Sequence, residues 1–117
     1  MQINSITNQN FSAKLQGDFS KIKDLAIKNG YRFSKARELE RKMRGMLPND
    51  CTITTLLPQE GSVTGRVILE NWKGSGVDMN VCPVLLDKRN LLVKYFEAAE
   101  ALAKTDFSRN RGLYTIA

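Results

Sequence analysis

The 117-residue chain carries 18 Lys and Arg against 12 Asp and Glu, has no histidine and contains two cysteines. Without histidine it lacks the usual acid-base group near neutral pH and the commonest transition-metal ligand, and two cysteines alone do not hold a structural zinc ion. Metal-dependent and triad-type catalysis are therefore not expected, and no catalytic residue or cofactor is predicted. The 42% apolar fraction predicts a single folded domain over residues 1–117.

No stretch of the sequence has the character of a membrane span or of a secretory signal. Apolar runs such as residues 67–69 and 84–86 contain three residues, whereas a transmembrane helix needs roughly 18. The first six residues have neither a basic stretch nor a long apolar run. We therefore expect a cytoplasmic protein without a membrane span, in which Cys51 and Cys82 are reduced thiols in the core.

Two weak strand patterns and one helix pattern open the chain. Residues 2–7 and 11–16 are the strand candidates, and an Asn-rich turn separates them. Asp18 is a candidate N-cap for a helix over about residues 19–29, which has apolar residues on one side. Asn29 and Gly30 tolerate the left-handed conformation that closes a helix, so this helix is expected to end there.

A second helix is predicted over about residues 35–46. Ser34 is its candidate N-cap. Pro48 disfavours helical conformation in the residue before it, so the helix must end by residue 47. Its apolar residues at helical spacing are Ala36, Leu39, Met43, Met46 and Leu47.

The middle of the chain predicts an antiparallel meander of three strands. The candidates are residues 51–57, 63–72 and 77–86, separated by turns that contain Pro and Gly. Residues 67–69 put large apolar side chains on both faces of the central strand, so its second face is expected to be covered. Three helices are few for both faces of such a sheet, which makes a second copy of the chain a candidate cover.

A third helix, over about residues 90–104, completes the pattern, and residues 113–116 form a candidate final strand. The predicted fold class is α+β: an antiparallel sheet of three or more strands, with its central meander at about 51–86, packed against two N-terminal helices and one C-terminal helix. The order helix, three strands, helix from Ser34 to Lys104 is similar to that of double-stranded-RNA-binding domains. With the preceding strand and helix it is similar to ribosome-hibernation domains, and this resemblance in element order favours a nucleic-acid partner.

The hairpin between the second and third meander strands contains two carboxylates. A two-residue turn at residues 74–75 would set Glu70 opposite Met79. Asp78 would then lie on the other face of the sheet, so the two acids could not act as an acid-base pair. Trp72, just before the turn, is expected to cover the apolar face of the sheet.

The whole excess of positive charge lies between residues 11 and 45. This window holds ten Lys and Arg against four acids, and the two signs balance outside it. On a helix at about 100° per residue, three arginines fall within roughly 60° of one another, opposite the apolar stripe. Guanidinium groups along one exposed ridge can contact successive phosphates. The candidate anion-binding residues are Arg37, Arg41 and Arg44, flanked by Lys35 and Lys42.

Two acids of the same helix offer another explanation for this charge. Glu38 with Lys42, and Glu40 with Arg44, stand four residues apart with the acid first, which stabilises an exposed helix without any ligand. The alternatives for this surface are thus a solvated helix face, a site for nucleic acid or another polyanion, or a site for an acidic protein. Phe33, which precedes the helix, is expected to be buried rather than to stack on bases.

These patterns predict a small non-catalytic binding module that contacts an anionic partner such as RNA or DNA through the basic helix. The alternative is a homo-oligomeric structural or protein-interaction subunit with no nucleic-acid role. The strand with two apolar faces motivates that alternative.

Overall fold

The computed structural model describes residues 12–82 and 88–104. Its strands are β1 (Lys14–Gly17), β2 (Thr52–Leu56), β3 (Gly65–Glu70) and β4 (Gly76–Val81). Its helices are α1 (Phe19–Lys28), α2 (Phe33–Arg44) and α3 (Leu91–Lys104), with a short 3₁₀ helix at Lys88–Asn90. The predicted α+β fold is confirmed, with two helices before the meander and one after it.

The four strands form one sheet in the order β1-β2-β3-β4. β2, β3 and β4 are the predicted antiparallel meander, whereas β1 pairs in parallel with β2 and sets Leu15 opposite Ile53. A parallel pair needs a crossover connection. α1 and α2 supply that crossover. Both helices therefore lie in the chain between β1 and β2, which are neighbours in the sheet.

The hydrophobic core lies between one face of the sheet and the three helices. The sheet contributes Ile53, Val67 and Leu69, which are fully buried. α3 contacts β3 and β4 on one side and α1 and α2 on the other. Its buried residues are Leu91, Leu92, Tyr95, Ala99 and Leu102. Each large apolar side chain buried in this way stabilises the fold by roughly 1.5–3 kcal/mol.

The N-terminal end of α1 lies at the predicted residue, whereas that of α2 does not. Asp18 stands at the N-cap of α1 without a capping bond; its Oδ2 instead accepts a 2.9 Å hydrogen bond from the backbone N–H of Leu57. α2 begins at Phe33, so Arg32 rather than Ser34 is its N-cap residue. Phe33 is 57% exposed, and the prediction that it is buried is wrong. It stands four residues before Arg37, and this spacing directs both side chains to the outer side of α2.

The turn between β3 and β4 is longer than predicted. Glu70 pairs with Gly76, so residues 71–75 form the connection. The side-chain Oδ1 of Asn71 accepts hydrogen bonds from the backbone N–H groups of Lys73 (2.8 Å) and Ser75 (3.1 Å). An asparagine that bonds to backbone N–H groups ahead of it stabilises a wider turn than the two-residue one.

This turn changes the placement of the two carboxylates and of the tryptophan. Asp78 lies opposite Ile68, so Glu70 and Asp78 share one face of the sheet, and the predicted placement on different faces is wrong. Asp78 forms an ion pair with Arg66 on that face. Trp72 is 61% exposed at the turn, so the prediction that it covers the apolar face is also wrong.

On the sheet face opposite the helices, the side chains are half-buried or exposed, and none is fully buried in the described strands β2 to β4. Ile68, at the centre of this face, is half-buried, and its cross-strand neighbours are the polar residues Thr54 and Asp78. Val67 and Leu69 point to the helix side. An antiparallel sheet can expose one polar face to water. The apolar run in β3 is therefore weaker support for a second layer on this face than the sequence alone indicated.

Several predicted segments lie wholly or partly outside the described residues. Residues 2–7, 83–86 and 113–116 lie outside the described residues, whereas residues 14–16 of the second strand candidate belong to β1. Cys51 is a buried free thiol and Cys82 an exposed one, so the prediction of two core thiols holds for Cys51 alone. Among the helices of the described segments, none has the length and apolar character needed to cross a bilayer.

Candidate anion-binding surface

The charged side of α2 faces solvent because the apolar stripe of the helix packs inward. Ala36 and Met43 of that stripe are fully buried. Helical spacing aligns three arginines on the opposite side. We call Arg37, Arg41 and Arg44 the arginine ridge; Arg37 and Arg41 are exposed, Arg44 is partly exposed, and the exposed Lys35 and Lys42 flank them.

Glu40 is held by cations from two helices. Its Oε1 accepts a 2.9 Å hydrogen bond from Lys23 Nζ of α1, and its Oε2 accepts a 3.0 Å bond from Arg44 Nη2. The bond from Lys23 is the main cause that lowers the pKa of the Glu40 carboxyl; burial opposes it and Arg44 adds to it. Glu40 thus joins α1 to α2, and its carboxylate neutralises part of the positive charge of Arg44.

Glu40→Gln is expected to lower the free energy of unfolding at neutral pH by about 1 kcal/mol, because the neutral amide weakens the contacts with Lys23 and Arg44. The folded pKa of Glu40 is below its unfolded pKa. Its contribution is therefore present above the ordinary Glu pKa and is lost as the pH falls through the lowered value. Urea unfolding should show the gap between wild type and variant closing in acid. Glu38→Gln is the control, since the Glu38–Lys42 pair is more exposed; equal losses in both variants would contradict the prediction.

Arg37 and Arg41 are the ridge residues whose charge the described acids leave unneutralised. Glu38 pairs with Lys42 Nζ at 3.5 Å, and Glu40 pairs with Lys23 and Arg44. No carboxylate in residues 12–82 or 88–104 forms an ion pair with Arg37 or Arg41. The two acids of α2 therefore neutralise Lys42 and Arg44 rather than the whole ridge.

Phe33 adds an exposed aromatic ring to the N-terminal end of the ridge. The guanidinium carbon of Arg37 lies 5.8 Å from the centroid of the Phe33 ring, within the range of a cation–π interaction. Exposed rings among cations are typical of proteins that bind single-stranded nucleic acid. The four-residue spacing from Phe33 to Arg37 was the signal in the sequence for this pair.

A second group of cations lies at the start of α2, where no separate site was predicted. These side chains line an open cleft of about 250 Å³. We call this the basic cleft; its lining residues are Gly30, Tyr31, Arg32, Lys35, Arg89 and Asn90. Arg32 and Lys35 come from the start of α2, whereas Arg89 comes from the 3₁₀ helix before α3. Only tertiary packing brings Arg89 to this place.

Contact between α1 and the 3₁₀ helix positions Arg89 in the basic cleft. Gly30 has a left-handed φ of 105°, and a Cβ on it would lie 3.4 Å from Arg89 Cδ. Burial, followed by the charge of Glu38, raises the pKa of Tyr31 above its ordinary value. None of the described residues that line the cleft is acidic.

Two other hollows of the described surface do not gather three cations in this way. A groove of about 500 Å³ between the end of α2 and α3 is lined by apolar residues together with Lys42, Glu100 and Lys104. Glu100 and Lys104 pair with each other there. A smaller hollow near Thr64 and Arg66 is lined mainly by uncharged residues. Within the described segments, no group of three or more Cys, Asp or Glu is placed to hold a metal ion. The arginine ridge and the basic cleft are thus the candidate functional surface.

Comparison with known proteins adds no family to this geometry. No family model matches the chain, and neither a curated protein nor a solved structure shows significant similarity to it. The similarity to double-stranded-RNA-binding domains therefore rests on the order α2, β2, β3, β4, α3 alone.

Proposed function

We propose that this chain is a small binding module without catalytic activity that contacts RNA or DNA through the exposed side of α2. The observation that carries the proposal is the position of Arg37 and Arg41, which project from one side of the helix without a described carboxylate paired to them. Contacts with phosphates supply most of the sequence-independent affinity for nucleic acid. Arginine suits them because its planar group forms two hydrogen bonds with one phosphate.

Phe33 favours single strands over duplexes as the form that binds. Its exposed ring can stack on an unpaired base, and such a contact contributes about 1–3 kcal/mol per base. A duplex already stacks its bases on one another, which leaves the ring without a partner of this kind. We therefore expect Phe33→Ala to weaken binding to a single strand more than binding to a duplex of the same sequence.

Replacing the whole ridge by R37Q/R41Q/R44Q is expected to weaken the binding of a single-stranded oligonucleotide roughly 10- to 100-fold at low salt. The loss should be similar for different sequences, because phosphates carry no sequence information. Each lost phosphate contact should also reduce the slope of log K against log salt by about 0.7. Fluorescence anisotropy at several salt concentrations measures both quantities.

The control for this experiment removes the same charge from other surfaces. K14Q/R66Q/K94Q takes three exposed cations from β1, β3 and α3. If net charge alone drove binding, both triple variants would lose the same affinity. Equal losses, or unchanged retention of the ridge variant on a heparin column, would refute the proposal.

A homo-oligomeric subunit is the second candidate function. Ile68 favours it, because contact with a second copy would bury this half-buried side chain on the open face of the sheet. Light scattering over a wide concentration range tests the idea, with Ile68→Thr as the variant that should weaken association. A strict monomer at high concentration would contradict it.

A further inference from the structure

We infer that the basic cleft is a binding site for a single phosphate group, distinct from the arginine ridge. Three cations, Arg32, Lys35 and Arg89, line one hollow. They come from two segments of the chain, since Arg32 and Lys35 lie at the start of α2 and Arg89 lies just before α3. The placement of Arg89 is thus a property of the fold and not of a charge-rich helix.

Like charges gathered in one hollow repel each other, and an anion between them removes that cost. In the described part of the chain, none of the three cations forms an ion pair with a carboxylate. Glu38 is an acid that acts on the cleft, because its charge contributes to the raised pKa of Tyr31. Its carboxylate, however, pairs with Lys42 Nζ at 3.5 Å.

The donors of the cleft suit a phosphate better than a carboxylate. Two guanidinium groups and one ammonium together carry more N–H donors than the two oxygens of a carboxylate can accept, whereas a phosphate group has up to four oxygens. Tyr31 also lines the cleft, and a tyrosine hydroxyl is a hydrogen-bond donor at neutral pH. The phosphate belongs either to a nucleic-acid backbone or to a free phosphorylated molecule, and the chemistry of recognition is the same for both.

The cleft opens beside the start of α2, whereas the ridge follows the outer side of the same helix. Lys35, which was predicted as a flank of the ridge, also lines the cleft. Arg89 belongs to the cleft alone, so a substitution there tests the cleft without altering the ridge.

Titration of the full chain with inorganic phosphate tests this inference. Ionic strength is held constant with sodium chloride, and ¹⁵N NMR follows the backbone amides of residues 30–35 and 88–90 together with the arginine Nε–H groups. We expect saturable shifts with phosphate and none with chloride. Arg89→Gln should weaken phosphate binding about tenfold or more, since it removes charge-assisted hydrogen bonds. Arg66→Gln, which removes an exposed arginine of the sheet, should leave it unchanged.

Two oligonucleotides of one sequence, with and without a 5′-phosphate, distinguish the source of the group. Shifts at Arg89 with both oligonucleotides identify a backbone phosphate, and shifts that need the 5′-phosphate identify a terminal or free one; either result supports the site. Equal shifts with phosphate and chloride, or wild-type phosphate affinity in Arg89→Gln, would overturn it. Such a failure leaves the ridge proposal intact, because R37Q/R41Q/R44Q would still weaken nucleic-acid binding.

Discussion

Gly65→Ala is expected to lower the free energy of unfolding by about 3 kcal/mol or more. Gly65 is the buried first residue of β3. A Cβ at this position would collide with the hydroxyl of Tyr95 and with the backbone carbonyl oxygen of Leu56. The carbonyl cannot move away without disturbing the pairing of β2 with β3. The Tyr95 side chain, on α3, is fully buried in the hydrophobic core and cannot move aside easily.

Urea unfolding of the variant measures this loss, and Gly45→Ala is the matched control. Gly45 ends α2 with an ordinary φ of −79°, and the atom nearest to an added Cβ there would be 3.5 Å away. The control should therefore be neutral or stabilising by up to about 1 kcal/mol. A loss below about 1 kcal/mol for Gly65→Ala would contradict the prediction, because it would mean that the backbone at the start of β3 can shift to accommodate the added Cβ at little cost.

Raising the pH above about 10 is expected to destabilise the fold through Tyr95. Burial, with the charge of Asp18 as a second cause, raises the pKa of Tyr95 to about 12. Its hydroxyl donates a 2.8 Å hydrogen bond to the carbonyl oxygen of Leu56. In the unfolded chain a tyrosine ionises near pH 10, so the folded state holds the proton more tightly. Stability is therefore complete below that pH and falls by about 2–3 kcal/mol as the pH approaches the folded pKa.

Tyr95→Phe separates this titration from other effects of base. The variant should lose about 1–2 kcal/mol at neutral pH, because the Leu56 carbonyl loses its donor. Its stability should then decline less steeply than that of wild type at alkaline pH, since phenylalanine has no proton to release. Denaturant unfolding at a series of alkaline pH values compares the two slopes. If the stability of wild type and variant declined equally steeply, Tyr95 would not be the cause of the loss of stability at alkaline pH.

The elements with strong periodicity were predictable, and the parallel strand was not. The apolar stripes of the helices and the alternation in the meander are local patterns, so residues 19–29, 35–46 and 90–104 marked the helices to within a few positions. The pairing of β1 with β2 depends on how the two intervening helices pack. No spacing within residues 11–16 encodes its direction.

The arginine ridge and the basic cleft also differ in whether the sequence alone could place their residues. Arg37, Arg41 and Arg44 follow from helix geometry, so the sequence sufficed to place them on one side of α2. Arg89 approaches Gly30 through tertiary packing, and its place in the basic cleft required the structure. The exposure of Phe33 was missed because α2 begins one residue earlier than its candidate cap, Ser34.

The crossover that carries the ridge also affects how the chain folds. The antiparallel strands β2 to β4 pair between chain neighbours, whereas β1 must meet β2 across residues 18–51. Closing the longer loop costs more chain entropy, so we expect the docking of β1 to be a late step of folding. A nucleic acid that bound only the docked arrangement of α1 and α2 would shift the folding equilibrium towards it. Separation of β1 from β2 would free the N-terminal end of the crossover from the sheet.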